Sequence, residues 1–316
     1  MEEGENQGLA EHLALIGMYY GLAQDTYRAK TFNEAAAKIT AYPKAISSGA
    51  QARAELSRIG DTLEQVINEY LLTGTSGRLQ DLETRFIEQK ATIDLFTSIY
   101  GIGPVTAIKL YTQGLRTLDD LWSQGNLNEK QKLGFIWREH IKLRIPRFEM
   151  DLIREQLAVI LNPYRIRWEI AGSYRREEPS SGDIDVLVES RPDLNMEGLL
   201  ALLEPILPVT LASGPTKFMG LIRLSEQYNA HRIDIRLIPR ENWPFALMYF
   251  TGSQRFNIRM RQRAIAFGLT LNEYRLEDKE HRMLPAATEE DIFRHLRVQY
   301  LSPVQRTRNL SALPLV

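Results

Sequence analysis

The sequence predicts an α+β chain of several units, helical in its first half and built on a mixed sheet in its second. Apolar residues recur at helical spacing from position 9 to about 89, with Leu63, Val66, Ile67, Tyr70 and Leu71 as the clearest stripe, and helical character resumes from about 82 to 143. β-Rich runs come only later, at 166–171, 183–189 and 232–238, each bounded by turn residues. From about Trp243, a short extended segment at 269–274 lies between helices expected at 253–267 and 288–298, so a small mixed unit closes the chain.

The elements follow in order. An alanine-rich stretch at 32–39 favours helix, Tyr42-Pro43 and Ser47-Ser48-Gly49 interrupt it, and the turn-forming run 73–77 ends the first unit. The second helical region breaks at 101–104 and again near Gly125, and the character changes after Arg144-Ile145-Pro146. Helices are expected at 148–161 and 198–207, around the strands.

Composition narrows the class. With 316 residues, 44% of them hydrophobic, the chain can bury more than one core, which excludes a disordered protein. No run of about 18 apolar residues occurs. The acidic start, with Glu2, Glu3, Glu5 and Glu11, lacks the basic-then-apolar pattern of a secretory signal, so a soluble intracellular protein is expected. The absence of cysteine excludes disulfides, thiolate metal sites and cysteine nucleophiles. A net charge of −1 argues weakly against a polyanionic partner. Arg255, Arg259, Arg261 and Arg263 nevertheless share one short segment, and Arg144 with Arg147 and Arg175 with Arg176 form smaller clusters; these serve either a local basic surface or a solvated helical face.

The chemistry lies in carboxylates. In a strand, residues i and i+2 share a face, so Asp183 and Asp185 project together while Ile184 and Val186 face a core. Asp234 sits in a second strand of matching alternation, Arg232-Ile233-Asp234-Ile235-Arg236. An Asp-x-Asp alone is also compatible with a solvated sheet edge. Three convergent carboxylates, however, call for cations, and magnesium suits oxygen ligands. Upstream, Gly172-Ser173-Tyr174-Arg175-Arg176 and Ser180-Ser181-Gly182 offer backbone amides and an arginine fork to a phosphate. A phosphate cradle beside a metal pair specifies nucleotidyl transfer, in which one ion would lower the pKa of an attacking hydroxyl and the other would neutralise the triphosphate. Separately, Ile99-Tyr100-Gly101-Ile102-Gly103-Pro104 makes a tight interhelical turn whose following helix can offer free amides to a DNA phosphate, or is simply a connection.

Gly172 to Arg176, then Gly182-Asp183-Ile184-Asp185-Val186-Leu187, then Arg232 to Arg236 resemble the palm of the family X DNA polymerases, most closely those of the beta type. The likeness extends through Pro215 to Gly220, Tyr249-Phe250-Thr251-Gly252-Ser253, Phe256-Asn257, Met260-Arg261 and Leu271-Asn272-Glu273-Tyr274, covering nearly the whole chain from about Ala35. The Gly101/Gly103 turn resembles a helix-hairpin-helix.

The resemblance implies four parts: a helical lyase-like DNA-binding domain at 1–82, a helix-hairpin-helix DNA-binding subdomain at 83–146, a nucleotidyltransferase palm with a mixed sheet at 147–240, and a nucleotide-selecting α+β subdomain at 241–316. It implies a template-directed DNA polymerase that fills short gaps in base excision repair. Asp183, Asp185 and Asp234 would hold two magnesium ions, with manganese an acceptable substitute. Arg144, Ser173, Arg176 and Gly182 correspond to contacts with the incoming triphosphate; Tyr249, Phe250 and Gly252 to the segment against the sugar; Asn257 to a reader of the base edge. Gln254 replaces an aspartate beside the base. Arg232 corresponds to a neighbour of the primer terminus, Lys217, Arg261 and Tyr274 to template-side contacts, and Arg236 to an ion-pair partner of Asp185. The carbonyls of Thr97, Ile99 and Ile102 would hold a monovalent cation such as Na⁺ or K⁺ bridging to DNA, and Gly101 and Gly103 correspond to DNA contacts. The implied partners are gapped or primer-template DNA and deoxynucleoside triphosphates, with no membrane; the implied state is a monomer, nuclear in a eukaryote.

Several positions depart from the pattern. Leu56-Ser57-Arg58-Ile59-Gly60 is a degraded first hairpin, and the family's Schiff-base lysine position is Val66. No lysine occurs between Lys44 and Lys90, so lyase activity is expected to be weak or absent unless Lys30, Lys38 or Lys44 supplies the amine. Arg28, Arg53, Arg58 and Arg78 remain as phosphate contacts. Glu177 and Glu178 stand where the beta type has glycine and alanine, putting negative charge near the cradle. The short connection from Met219 to Arg232 suggests little template-independent synthesis. Two other readings stay open: a nucleotidyltransferase with an RNA or small-molecule acceptor, and a silent DNA-binding scaffold.

Overall fold

The computed structural model describes residues 6–307 and 312–315, so Glu2, Glu3 and Glu5 lie outside the described residues. The chain forms two compact units, Met1–Arg138 and Glu139–Val316.

The first unit is helical: α1 (Gln7–Leu22), α2 (Thr26–Ala41), α3 (Gly49–Glu55), α4 (Asp61–Thr73), α5 (Gly77–Arg85), α6 (Ile87–Thr97), α7 (Pro104–Thr112), α8 (Leu118–Gln124) and α9 (Glu129–Ile136), with α10 (Arg138–Lys142) beginning at the unit boundary. Side chains start these helices where the sequence supplies short polar residues. Asp25, Ser48 and Ser76 accept backbone N–H bonds at the starts of α2, α3 and α5, and Thr117 and Asn128 form capping boxes on α8 and α9. Gly74, at φ 78°, ends α4 in the left-handed conformation. A single core runs through the unit, from Leu13 and Ile16 through Phe32 and Ile67 to Phe96 and Leu121. Val66 belongs to it, 2% exposed on α4.

His12 is buried in that core, its ring centroid 4.7 Å from that of Tyr70 and its Nε2 2.9 Å from Ser76 Oγ. Burial pushes its pKa from 6.5 down to about 4, against a smaller opposing pull from Glu69. The unfolded chain therefore takes up a proton at a pH where the folded chain refuses it. Stability contributed by the neutral ring is complete above pH 6.5 and declines as pH falls toward 4, by about 3 kcal/mol in all. Urea unfolding across this window should show the decline, and His12→Gln should flatten it.

In the second unit, a two-stranded ribbon pairs β1 (Ile145–Pro146) with β3 (Ser180–Ser181). Helix α11 (Arg147–Leu161) leads to β2 (Trp168–Ile170), the single turn α12 (Gly172–Arg175), β4 (Ile184–Glu189), α13 (Met196–Leu203), β5 (Val209–Ser213), β6 (Lys217–Ile222) and β7 (His231–Ile238). The five-stranded sheet runs β2-β4-β7-β6-β5; β4 and β7 pair in parallel and the other neighbours antiparallel. Three strands match the expected runs. β5 and β6 went unanticipated, because a register shift between Thr210 and Ala212 breaks the alternation of β5 and Gly220 interrupts β6. That glycine is required: a Cβ there would lie 2.5 Å from both the Phe218 ring and the Val209 carbonyl oxygen.

Alternation then sorts the faces. Ile184, Val186 and Val188 join a core with Met150, Ile153, Leu157, Leu199 and Leu203 from α11 and α13. Leu187, of the opposite parity, packs with Trp243 and Ala246 of α14 (Trp243–Thr251). The aspartates share the parity of Leu187 and so lie on the α14 side of the sheet. Beyond come α15 (Gln254–Ala266), β8 (Thr270–Leu271), β9 (Leu276–Glu277) and α16 (Glu289–His295), around a core of Phe245, Phe256, Met260, Ile292 and Phe293. Helix α14 was not expected from the sequence, because an almost wholly apolar run carries no helical stripe. No described helix is long and apolar enough to cross a membrane.

Candidate active site

The sheet brings two of the three aspartates together by backbone register alone: Asp185 on β4 stands opposite Asp234 on β7. Parallel neighbours in register present side chains to the same face. Asp183 precedes β4 by one residue and is tied in by Arg232, whose Nη2 donates to Asp183 Oδ2 at 2.6 Å and lies 4.0 Å from Asp234 Oδ2. Among the described residues, no three carboxylate or imidazole groups are spaced to hold a metal as they stand, and the Arg232 guanidinium supplies the positive charge between two of the carboxylates.

The electrostatics show how unfinished this arrangement is. Burial, then the Asp183 and Asp234 charges, push the Asp185 carboxyl up to about 7, against Arg236 and Arg232. Burial also raises the Asp234 carboxyl, with Asp183 adding to it and Arg232, Lys217 and Arg236 opposing. Asp234 Oδ1 is buried without a hydrogen-bond partner among the described residues. Clustered hard oxygens with a surplus of negative charge and an orphaned acceptor fit divalent cations. Gly172 completes the wall: at φ +58°, it lies so close that a Cβ would come 2.7 Å from Asp185 Oδ2.

The expected phosphate ligands gather around α12 and β3. Arg144 donates from Nε to Ser180 Oγ at 2.8 Å and from Nη2 to the Ser180 carbonyl at 2.7 Å. Ser173 Oγ is 2.9 Å from Ser181 Oγ, and Gly182 is exposed beside Arg144. Arg176 Nη1 donates to the Thr251 carbonyl at 2.6 Å, and its Nη2 lies 3.8 Å from Glu178 Oε1.

Thr251 ends α14 and was not anticipated; it is fully buried and also accepts from Arg175 through Oγ1 at 2.8 Å. Arg175 makes a two-pronged contact with Glu289, at 3.1 and 2.7 Å, and Glu289 Oε1 accepts from Arg306 Nη1 at 2.6 Å. Arg306 is 0% exposed, beneath the rings of Phe256, Phe293 and Tyr300. Its carbonyl accepts from Ser253 N–H, and that of Thr307 from Ser253 Oγ. The segment carrying Gly252 is thus clamped from both sides. No local signal marks Glu289 or Arg306, since the first reads as an ordinary acidic residue in a helix's first turn.

Gly252 has φ +66° and ψ −154°, a region open essentially to glycine, and an added Cβ would lie 3.3 Å from Arg176 Nη1. Gly252→Ala should lower stability by about 1–3 kcal/mol and shift Arg176. Thermal unfolding and a nucleotide titration would read the two effects separately.

Tyr249 and Phe250 are half-buried, with ring centroids 5.1 Å apart and edge to face. Asn257 Nδ2 donates to the Tyr249 carbonyl at 2.8 Å, and Arg261 lies over the Tyr249 ring. Tyr249, Asn257 and Arg261 line one small cavity with Met248, Met260, Leu271 and Asn272. Gln254 is exposed at the start of α15, and Tyr274 is 42% exposed after β8. Lys217 stands opposite Arg236 in the β6–β7 ladder. Arg236 makes no ion pair with Asp185 within 4.0 Å, contrary to expectation; its guanidinium lies 4.5 Å from the Phe250 ring centroid and reaches Asp185 only through its field.

In the first unit, Gly101 has φ +87° and its carbonyl accepts from Gln131 Nε2 at 3.1 Å, while Gly103 precedes Pro104 at the start of α7. Ile99 and Ile102 bury their side chains, the Ile99 carbonyl accepts from Ile102 N–H, and Thr97 ends α6. In the earlier hairpin, Arg58 takes the left-handed position at φ 64°, where glycine would be unstrained. Arg28 pairs with Asp25, Arg58 with Glu34, and Arg53 with Asp61 and Glu64, while Arg78 donates to Tyr20 Oη. Lys30 and Lys44 pair with Glu34 and Glu55, and Lys38 donates to the Ser57 carbonyl.

Comparison with known proteins finds four family matches in succession. They are a helix-hairpin-helix domain over residues 4–76, the fingers domain of DNA polymerase lambda over 94–141, the DNA polymerase beta palm over 144–240 and the DNA polymerase beta thumb over 246–307. The chain is similar to DNA polymerase lambda of Arabidopsis thaliana, 30% identical over 92% of this chain, and to that of Rattus norvegicus, 27% identical over 95%. It is 28% identical to the DNA-directed DNA/RNA polymerase mu of Homo sapiens over 95% of its length. It spans 60%, 56% and 69% of the lengths of those three proteins.

Proposed function

Since the chain belongs to the family X DNA polymerases, we propose that it adds deoxynucleotides to a 3'-hydroxyl primer on a DNA template, filling short gaps during repair. The observation that carries this reading is the Asp185–Asp234 register beside Asp183 and the Arg144/Ser173/Arg176 cradle.

Asp183, Asp185 and Asp234 would hold two magnesium ions, with manganese able to replace them. When bound, these ions lower the pKa of the 3'-hydroxyl and neutralise the triphosphate and the leaving pyrophosphate. The residues do the rest. Asp234 stands ready to take up the hydroxyl proton; Arg144, Ser173, Arg176 and Gly182 orient the phosphates; Tyr249, Phe250 and Gly252 wall the sugar; Asn257 and Gln254 face the base. Arg232 lies by the primer end, and Lys217, Arg261 and Tyr274 contact the template. Their basic and amide groups suit backbone and minor-groove contacts that carry little sequence information.

Residues 1–82 and 83–146 serve as DNA-holding domains, 147–240 as the catalytic palm and 241–316 as the nucleotide-selecting part. The Gly101/Gly103 turn binds a DNA phosphate, with a monovalent cation at the carbonyls of Thr97, Ile99 and Ile102. Val66, buried and without a nucleophile, leaves 5'-deoxyribose phosphate lyase activity weak or absent. The protein acts as a soluble monomer, in the nucleus of a eukaryotic cell. Magnesium-dependent filling of a one-nucleotide gap, with and without a 5'-phosphate, tests the reading. Extension of an RNA primer in preference to the gapped DNA, or DNA binding without extension, would refute it. Borohydride trapping on a 5'-deoxyribose phosphate end tests the lyase statement, and rapid trapping would overturn it.

A further inference from the structure

We propose that Glu178 is a positioning residue for the incoming nucleotide: it acts as an internal counter-anion on Arg176, which the triphosphate has to displace, and so weakens nucleotide binding. The proposal rests on the polymerase reading and deepens it.

The backbone is arranged to deliver this carboxylate. Helix α12 ends at Arg176, and the chain reverses at Glu177, which has φ +59°. Glu177 N–H donates to the Tyr174 carbonyl at 3.0 Å and Glu178 N–H to the Ser173 carbonyl at 3.1 Å. These two bonds are the 5→2 and 6→1 pair that closes a helix when a left-handed residue follows it. Glycine is the residue that takes this position without strain, and a side chain there costs conformational energy. The chain accepts that cost with glutamate, immediately before a second glutamate.

The reversal returns Glu178 to the cradle. Its Oε1 lies 3.8 Å from Arg176 Nη2, while Arg176 Nη1 is held at 2.6 Å by the Thr251 carbonyl. The Arg176 side chain is 8% exposed and that of Glu178 is 35% exposed. Arg176 is therefore fixed from the Thr251 side and carries a carboxylate on another nitrogen. A triphosphate reaching Arg176 meets that carboxylate as a competitor and as a like charge. Because Glu178 is part-solvated, the competition is tunable by salt rather than absolute.

The acid acts through Arg176, so its removal should change nucleotide affinity more than the chemical step. Glu178→Gln should tighten binding of a non-hydrolysable deoxynucleoside triphosphate to the protein on gapped DNA with a dideoxy-terminated primer. The expected gain is about fivefold, the upper range for a part-exposed ion pair. KM should fall in parallel while kcat changes much less, and the gain should shrink at high salt. In an Arg176→Ala background the same substitution should give little or no gain, a coupling that a diffuse surface charge would not show. Thermal unfolding of each variant verifies that it is folded. An unchanged dissociation constant for Glu178→Gln, or an equal gain with Arg176 removed, overturns the proposal. If the unsubstituted protein incorporates no nucleotide at all, the polymerase reading itself falls and takes this one with it.

Discussion

Replacing Asp234 by alanine will slow primer extension by on the order of 10³-fold or more, while affinity for gapped DNA stays within about twofold. The reason is positional. Asp234 is the carboxylate that the β4–β7 register sets against Asp185, and its buried Oδ1 has no hydrogen-bond partner among the described residues. Burial raises its carboxyl and no hydrogen bond compensates that oxygen, so the residue is a burden on the folded state in the absence of cations. The same substitution should therefore leave the melting temperature of metal-free protein unchanged or higher, the usual trade between stability and function. Single-turnover extension, DNA anisotropy and thermal unfolding measure the three quantities independently. Undiminished extension would refute the role assigned to Asp234, and a large loss of stability would recast it as structural.

The second large effect concerns Glu289. Glu289→Ala will strand two arginines, one of them, Arg306, fully buried, and should cost about 3–5 kcal/mol. For a unit of this size that corresponds to a melting temperature lower by roughly 10 °C. Burial alone would push the Glu289 carboxyl up, but the Arg175 hydrogen bond and the Arg306 and Arg175 charges outweigh it and hold it below the ordinary carboxylate range. Its contribution is thus present at neutral pH and is lost as acid protonates it. Replacing Glu289 and Arg306 together by leucine and methionine should recover part of the loss, because the fully buried Arg306 charge is then gone and only the less buried Arg175 is left without its carboxylate. Differential scanning calorimetry of the single and double variants distinguishes the ion pair from simple packing. The Thr251–Ser253 segment is held by this network, so Glu289→Ala should also loosen nucleotide binding.

Much of this site was legible in the sequence, for physical reasons that differ between residues. Period-two alternation around Asp183, Asp185 and Asp234 fixes which face they share, and the strands came out within one or two residues of expectation. Gly172 stood out because glycine lets backbone approach a phosphate closely, whereas Gly252 entered only through the family resemblance; both have positive φ. Adjacency was not legible: nothing local says that β7 rather than β6 pairs with β4. The β5–β6 hairpin was missed where a bulge and Gly220 broke the pattern, and α14 where the run was apolar throughout. The Arg175–Glu289–Arg306 network was invisible, since its members are far apart in the chain and each is an unremarkable charged residue until folding buries it. Arg236 shows the opposite failure. A family-based ion pair was expected, and the ring of Phe250 holds its guanidinium instead.

The bond ladder between β4 and β7 carries an implication for how such a chain can vary. Because a slip by one residue would turn Asp234 to the far side of the sheet, the separation of the two carboxylates is a main-chain quantity, gauged by peptide hydrogen bonds and indifferent to the loop that joins β6 to β7. That loop, residues 223–230, can lengthen or change its chemistry without altering the gauge. Novelty in substrate or control can therefore accumulate there while the reaction centre stays calibrated.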